Sequence, residues 1–329
     1  MQNLDTSFYF QLKGFLKRIP LLVSFKRFVW GNFKWIRQLI RQLVLRDIYW
    51  PSLLNDHTFR AEVFDSAPKG ALLLSSLTDE TYVVSVNDKT IGRRVFLRGS
   101  FDSEKIEKTV QLLGGDRTNM LLIDIGANIG TICIPMIKRG IFKRAIAIEP
   151  EPFNFSLLSA NIFLNGLGDK IVTHNIALGN QANQEIKFEL SDDNFGDHRV
   201  RVSEDGGVCN EDLRKIIAVE SDLFDRRITI ENPNQTLIWI DVQGFEGFVL
   251  AGATNALRLK TPLVIEFWPY GMKRSGCYEL LKASILSAGY ECFIDLDNVG
   301  LPQPVSAQAL DVLYNNLGEH GPYTDMLLR

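Results

Sequence analysis

The feature that most constrains this chain is a strand, a glycine-rich turn and a helix in direct succession at residues 121–140. Apolar residues lead into Asp124, as in a buried parallel strand, and a turn from Gly126 to Gly130 opens a helix. Both glycines let the backbone pass close to a ligand, and the helix aims free N–H groups at the crevice. A second short strand ends at Glu149, where a carboxylate can accept both ribose hydroxyls of a cofactor. The segment therefore predicts a nucleoside-type cofactor site.

The spacing of the glycines selects among such cofactors. A dinucleotide fingerprint needs G-x-G-x-x-G, but Asn128 and Thr131 fill its second and third glycine positions here. The pattern D-x-G-x-N-x-G, with a glutamate closing the next strand, suits S-adenosylmethionine, which has an amino-acid end and no phosphate to cradle. The sequence therefore favours S-adenosylmethionine over nicotinamide or flavin cofactors. The residues predicted to bind it are Asp124, Gly126, Ala127, Asn128, Gly130, Glu149, Pro150, Asn175 and Ala177.

Strands and helices alternate along the rest of the chain. The predicted strands are residues 121–125, 145–149, 171–175, 237–241, 263–266 and 291–294. Such alternation predicts an α/β fold with a doubly wound sheet and helices on both faces, in which ligands bind beyond the carboxyl ends of the strands. Asp124, Glu149, Asn175, Asp241 and Glu266 stand at these ends. We expect these five side chains to surround one site.

Four segments of the chain carry a wider pattern. They are IDIGANIG at 123–130, IEPEPFNFSLLSANIFLNG at 148–166, IALGN at 176–180 and IWIDVQGFEGFVLAGA at 238–253. Together they resemble the FkbM family of S-adenosylmethionine-dependent methyltransferases. The last segment is similar to the family's D-V-E-G-x-E signature, with Gln243 at the usual first glutamate and Trp239 where a lysine is common. The resemblance implies a Rossmann-like class I methyltransferase fold and O-methylation of sugars or other hydroxylated natural products.

Four residues are candidates for the chemistry. Methyl transfer to a hydroxyl needs an in-line arrangement and a base that removes the proton. Asp241 is the first candidate base, and His198 is the second because a histidine pKa lies nearer neutrality. Glu246 is predicted to orient Asp241 or to bind acceptor hydroxyls, and Glu266 to bind a sugar that stacks on Trp268. The alternative is that acids at strand-to-helix turns serve as N-caps and dipole partners.

The chain divides into three predicted regions. They are basic amphipathic helices at residues 1–58, a small β-rich part with a helix at residues 59–115, and a class I methyltransferase domain at residues 116–329. In the β-rich part, RRVFL at residues 93–97 is predicted as a strand, and residues 103–113 as a helix. The polar stretch 185–214 is predicted to be a lid over the acceptor, or alternatively a solvated hairpin tip.

The N-terminal segment differs in charge from the rest of the chain. Residues 1–50 contain nine Lys or Arg and two Asp, whereas the whole chain has a formal net charge of −3. From Ser24 to about Leu45, basic and apolar side chains fall on opposite sides of a helix. Its apolar runs are far shorter than the ~20 residues that span a bilayer, and we expect no cleavable signal sequence. We expect a cytoplasmic protein in which residues 1–46 contact a membrane surface, pack on the catalytic domain or form a homodimer.

The cysteines, the histidines and the motifs near the basic stretch indicate which kinds of site to expect. The four cysteines and four histidines lack metal-ligand spacing, so we expect no metal site. No recognition motif accompanies the basic stretch, so we expect no nucleic-acid partner. The sequence predicts an O-methyltransferase acting on a glycan or a small natural product. The alternatives are a methyltransferase-shaped scaffolding protein tethered by its basic N-terminus, and an N-methyltransferase, which the absence of an N-P-P-Y-type tetrapeptide after the fourth strand disfavours.

Overall fold

The computed structural model describes residues 56–115, 120–204, 206–298, 300–320 and 322–329. The predicted amphipathic segment, residues 1–46, lies outside these ranges, so its membrane or subunit contact stays a prediction. The chain divides into two compact units, Met1–Glu62 and Val63–Arg329. Within the described ranges, no helix combines the length and the apolar character that crossing a bilayer requires.

The helices and strands of the described residues alternate for most of the chain. The strands are β1 (Leu72–Ser75), β2 (Tyr82–Ser85), β3 (Leu121–Ile125), β4 (Arg144–Ile148), β5 (Ile171–His174), β6 (Ala177–Gly179), β7 (Gln184–Leu190), β8 (Arg199–Val200), β9 (Lys215–Leu223), β10 (Thr236–Ile240), β11 (Leu263–Phe267), β12 (Cys292–Asp295), β13 (Gln303–Pro304) and β14 (Thr324–Leu328). The helices are α1 (His57–Ser66), α2 (Ile91–Arg98), α3 (Ser103–Leu113), α4 (Cys133–Lys138), α5 (Pro152–Leu164), α6 (Phe224–Arg227), α7 (Glu246–Ala251), α8 (Thr254–Arg258), α9 (Pro269–Ser275), α10 (Tyr278–Ala288) and α11 (Ala307–Leu317). The six strands predicted from the sequence are confirmed, each within one residue at either end.

A large mixed sheet forms the centre of the fold. In the described part of the chain its order is β13-β12-β14-β11-β10-β3-β4-β5. Strands β5, β4, β3, β10 and β11 run parallel, and β14 pairs antiparallel with β11. Because the chain proceeds from β3 outward on one side and later from β10 outward on the other, a crevice opens at the carboxyl ends of β3 and β10. The predicted doubly wound, Rossmann-like α/β fold is confirmed.

The central strands explain why this sheet forms. All residues of β10 and β11 are buried, and β3 is buried except for the partly exposed Leu121. Strands covered on both faces read as continuous apolar runs, as TLIWI and LVIEF do. Their carboxyl ends lead directly into the polar residues of the crevice.

The segment RRVFL lies in helix α2, so the predicted strand at residues 93–97 is wrong. The buried Asp88 carboxylate accepts hydrogen bonds from the backbone N–H groups of Ile91 at 3.1 Å and Gly92 at 2.7 Å, which satisfies the start of the helix. At the other end Gly99 has φ +80° and caps the helix through its N–H to the Val95 carbonyl. The rest of this part agrees with the sequence, since β1 and β2 form an antiparallel pair and α3 spans the predicted helix.

Asp88→Ala is expected to lower the free energy of unfolding by roughly 2–4 kcal/mol, because it leaves several buried N–H groups without an acceptor. Urea unfolding of the purified protein measures the loss. Asp88→Asn is the control, since it keeps one carbonyl oxygen in place and should lose less. Equal stability of the alanine variant and the wild type would contradict this role for Asp88.

The polar stretch 185–214 contributes most of β7 and the whole of β8 to a second sheet, whose order among the described residues is β6-β9-β7-β8. Its charged side chains are largely paired inside the layer. The Arg199 guanidinium lies 3.3 Å from the Glu189 carboxylate and 3.4 Å from the Glu211 carboxylate. The described residues of the stretch thus pack in an ordered layer, and the role of the stretch as a lid over an acceptor stays a prediction, as do the domain boundaries.

Candidate active site at the carboxyl end of the sheet

A cleft opens where the sequence predicted a site. The predicted residues that line it are Asp124, Gly126, Asn128, Glu149, Pro150, Ala177, His198, Asp241 and Glu266. The predicted residues outside its lining are Ala127, Gly130, Asn175 and Glu246. Most of the strand-end side chains therefore do meet in one cleft.

The glycines of the first turn are needed for packing within the protein. Gly126 has φ +86°, and a Cβ there would lie 1.8 Å from the carbonyl oxygen of Asp241. A Cβ on Gly130, which has φ +94°, would lie 2.5 Å from Cδ1 of Ile134. The nearest protein atoms belong to the neighbouring strand end and helix, and the approach of a ligand to these glycines stays a prediction. The turn thereby brings the Asp241 backbone against the glycine loop.

Asp124 braces the turn. Its buried Oδ2 accepts the backbone N–H of Cys133 at 3.1 Å, at the start of α4, and burial raises its pKa to about 7. Asn128 has φ +49° and donates from Nδ2 to the Phe195 carbonyl at 2.9 Å. The amide of Asn128 thus ties the turn to the second sheet.

The Glu149 carboxylate is fixed in the wall of the cleft by backbone donors. Oε2 accepts the N–H of Asn128 and Oε1 accepts the N–H of Glu151, each at 2.9 Å. Burial raises its pKa to about 8, although both hydrogen bonds favour the charged form. Asn175 supports this corner from outside the cleft, since its Nδ2 donates to the carbonyls of Glu149 at 2.8 Å and Pro150 at 3.0 Å.

Asp241, Gln243 and Glu266 form a hydrogen-bonded group at the ends of β10 and β11. Nε2 of Gln243 donates to Oδ1 of Asp241 at 2.7 Å and to Oε1 of Glu266 at 3.0 Å. Burial raises the pKa of Asp241 to about 7, and the charge of Asp325 adds to the shift. Burial also raises the pKa of Glu266, followed by the charges of Asp241 and Glu246. In the sequence Gln243 was visible only as a departure from the signature, and in the structure it bridges two candidate carboxylates.

Glu246 is the first residue of α7, and its side chain supports the turn before the helix without capping the N–H groups of the helix. The residue is fully buried, and its Oε1 accepts the N–H groups of Val242 at 3.0 Å and Gly244 at 3.2 Å. It closes the turn between β10 and α7 and does not line the cleft. These contacts place Glu246 behind Asp241 and support the turn.

His198 lines the cleft but is poorly arranged to accept a proton. Its Nδ1 already accepts the Ser191 N–H at 3.0 Å, and its ring lies 5.1 Å from the Phe195 ring. Burial, followed by the charge of Arg214, lowers its pKa to about 4. The ring is therefore neutral near pH 7 with its proton on Nε2, which makes it a hydrogen-bond donor to the cleft.

The position of Trp268 differs from the one needed for the predicted stacking of a sugar on its ring. The Arg199 guanidinium lies 5.0 Å from the ring centroid, and Trp268 does not line the cleft.

Sequence reasoning also missed four residues that do line the cleft. They are Asp102, Lys105, Tyr323 and Asp325. Part of this group is explained by the antiparallel pairing of β14 with β11, which places Asp325 opposite Glu266.

Known proteins with a similar fold include several methyltransferases. The FkbM methyltransferase of Methylobacillus flagellatus KT aligns with a TM-score of 0.40 and 18% identity over 64% of this chain, and the alignment spans only 44% of that protein. TYW2 of P. horikoshii, crystallised with MeSAdo, aligns with a TM-score of 0.41 and 13% identity over 86% of this chain and 84% of that protein. StiE O-MT residues 961–1257 align with a TM-score of 0.38 and 11% identity over 68% of this chain and 72% of that one. Among curated proteins, none matches this chain in sequence.

The family is shown by a domain match. The methyltransferase FkbM domain matches residues 124–292, just over half of the 329 residues. The match begins at the aspartate of the glycine turn and includes Glu149, Asp241 and Glu266. The chain therefore belongs to the FkbM methyltransferase family.

Proposed function

We propose that this chain transfers a methyl group from S-adenosylmethionine to a hydroxyl oxygen of a sugar, a glycan or a small natural product. The observation that carries the proposal is the position of Asp241. Its carboxylate is oriented by Gln243 and lines the same cleft as Glu149 and the glycine turn. A carboxylate with a pKa near neutrality beside a cofactor cleft is suited to remove a hydroxyl proton.

The described residues fit the proposed cofactor. Glu149 presents a fixed carboxylate for ribose hydroxyls, and Ile148, Ile176 and Ala177 give the adjoining wall an apolar surface suited to a base ring. The chemistry that S-adenosylmethionine supplies when bound is an electrophilic methyl group on a sulfonium. Asp241 would orient the acceptor hydroxyl and take its proton, while Phe195 and His198, in the connection between β7 and β8, would cover the cleft and exclude water.

Glu149→Gln is expected to weaken S-adenosylmethionine binding by roughly 1.5–3 kcal/mol for each charged hydrogen bond to the ribose that is lost. The raised pKa of Glu149 also predicts a pH dependence. Ribose hydroxyls favour the ionised carboxylate, so wild-type affinity should rise as the pH passes upward through about 8, and the glutamine variant should lack this rise. Isothermal titration calorimetry at several pH values measures both effects.

The control for this experiment is Glu151→Gln. Glu151 is also buried and accepts the Asn154 N–H at the start of α5, but it does not line the cleft. Its substitution should change stability and leave cofactor affinity within about twofold. Binding of NAD(H) in place of S-adenosylmethionine, or equal affinity in the Glu149 variant, would contradict the assigned site. Cofactor binding without turnover of any hydroxylated acceptor would favour the scaffolding alternative.

A further inference from the structure

Beyond Asp241 the cleft continues into a strongly charged end. The side chains that line this part are Asp102, Lys105, Asp241, Glu266, Tyr323 and Asp325, and we call this group the acidic end. It is built from the start of α3, the ends of β10 and β11, and the start of β14. Its position next to the candidate base makes it the surface that an acceptor would contact.

The lysine of the acidic end is already paired. Nζ of Lys105 donates to Oδ2 of Asp325 and lies 3.7 Å from the Asp297 carboxylate. Burial lowers the pKa of Lys105, but the charge of Asp325, its hydrogen bond and the charges of Asp102 and Tyr323 together outweigh that effect, and the net shift of the pKa is upward. Among the ion pairs of the described residues, none involves Asp102, Asp241 or Glu266. The acidic end therefore has an excess of carboxylates over cations.

Glu266 shows most directly that a donor is missing from this group. The side chain is buried, with 2% of the residue exposed, and only its Oε1 has a donor, the amide of Gln243. Its buried Oε2 has no hydrogen-bond partner among the described residues, although Glu266 lines the cleft. Buried carboxyl oxygens are normally hydrogen-bonded, so this atom indicates a missing partner, and a cationic donor would also favour the ionised form that burial disfavours.

We infer that the acidic end binds the protonated amino group of an amine-bearing acceptor, such as an amino sugar or an amino alcohol, whose hydroxyl lies at Asp241. The inference rests on the proposed function and names its class of acceptor. An ammonium group donates to Oε2 of Glu266 and offsets the repulsion among the neighbouring carboxylates, which a neutral hydroxyl does not. Phosphorylated or carboxylated acceptors are disfavoured because Lys105 is held by Asp325.

The same arrangement favours methyl transfer to oxygen. A protonated amine has no lone pair with which to attack the methyl group, and the carboxylates stabilise its protonated form. The hydroxyl beside Asp241 is then the nucleophile.

The test uses the full chain saturated with S-adenosylhomocysteine and titrated calorimetrically at neutral pH. The probes are glucosamine, N-acetylglucosamine and glucosamine 6-phosphate, which differ in the charge at the amine or elsewhere. Glucosamine should bind roughly tenfold more tightly than either of the others. Glu266→Gln should reduce this preference to about twofold or less, and Asp102→Asn, at a partly exposed position, should reduce it in the same direction.

The control is Glu104→Gln, because Glu104 is exposed on α3 beside Asp102 and does not line the cleft. It should leave the preference unchanged. Equal binding of the three probes, preference for the acetylated or phosphorylated probe, or no binding of glucosamine to the loaded protein overturns the inference and leaves the cofactor assignment standing. Failure of S-adenosylhomocysteine itself to bind overturns the proposed function, and the inference with it.

Discussion

Asp241→Asn is expected to lower kcat by about 10²–10⁴, measured with an acceptor that the wild-type protein methylates, while cofactor affinity stays within about twofold. The asparagine keeps an oxygen that can accept the Gln243 amide, which in the wild type donates to Oδ1 at 2.7 Å. The geometry of the turn should therefore persist. What the variant loses is an oxygen that can take a proton.

The pH dependence separates a base from a structural carboxylate. The pKa of Asp241 is raised to about 7, so the wild-type rate should fall as the pH drops through 7 and the carboxylate becomes protonated. The residual rate of the asparagine variant should not show this fall at low pH, which we call the acid limb of the pH–rate profile. The raised pKa of Asp241 also affects stability. An acid whose pKa is raised by folding destabilises the folded state as the pH rises above the pKa that the acid has in the unfolded chain.

His198→Ala is the comparison that decides between the two candidate bases. Because Nδ1 of His198 accepts the Ser191 N–H and the pKa lies near 4, its loss should cost less than Asp241→Asn and should leave the acid limb in place. A histidine variant that loses more activity than the aspartate variant, together with the acid limb, would transfer the role of base to His198.

The central sheet could be predicted because its strands are buried on both faces and read as unbroken apolar runs. RRVFL could not be assigned in the same way, because five apolar and basic residues fit either a short strand or a turn of helix. The outcome depended on the Asp88 carboxylate, which accepts the N–H groups at the start of α2, and on Gly99 at its end. Secondary-structure propensity alone predicts neither of these contacts.

The strand-end acids of the candidate site could also be predicted, because the carboxyl ends of parallel strands share one edge. The roles of single side chains could not. The pairing of Lys105 with Asp325 joins residues far apart in the chain, and only the fold brings α3 beside β14. The covering of Trp268 by Arg199 likewise depends on the second sheet, which the sequence showed only as a polar stretch.

Gly126→Ala should be the most damaging single substitution of a small residue near the site. A Cβ at position 126 would lie 1.8 Å from the carbonyl oxygen of Asp241 and 2.9 Å from its carbonyl carbon, both of them backbone atoms. That backbone is held in the sheet, since the N–H of Asp241 donates to the Ile125 carbonyl at 3.0 Å. The clash therefore cannot be relieved by turning a side chain.

The expected loss in free energy of unfolding is about 2–5 kcal/mol, from the left-handed backbone that alanine tolerates poorly and from the overpacking itself. Gly140→Ala separates these two causes, because Gly140 has φ +69° but no atom within 4 Å of an added Cβ. It should cost only the conformational part, about 1–2 kcal/mol. Urea unfolding of both variants measures the difference. If the two substitutions destabilise the protein equally, the close approach of the glycine turn to Asp241 is wrong, and the position of the candidate base must be revised with it.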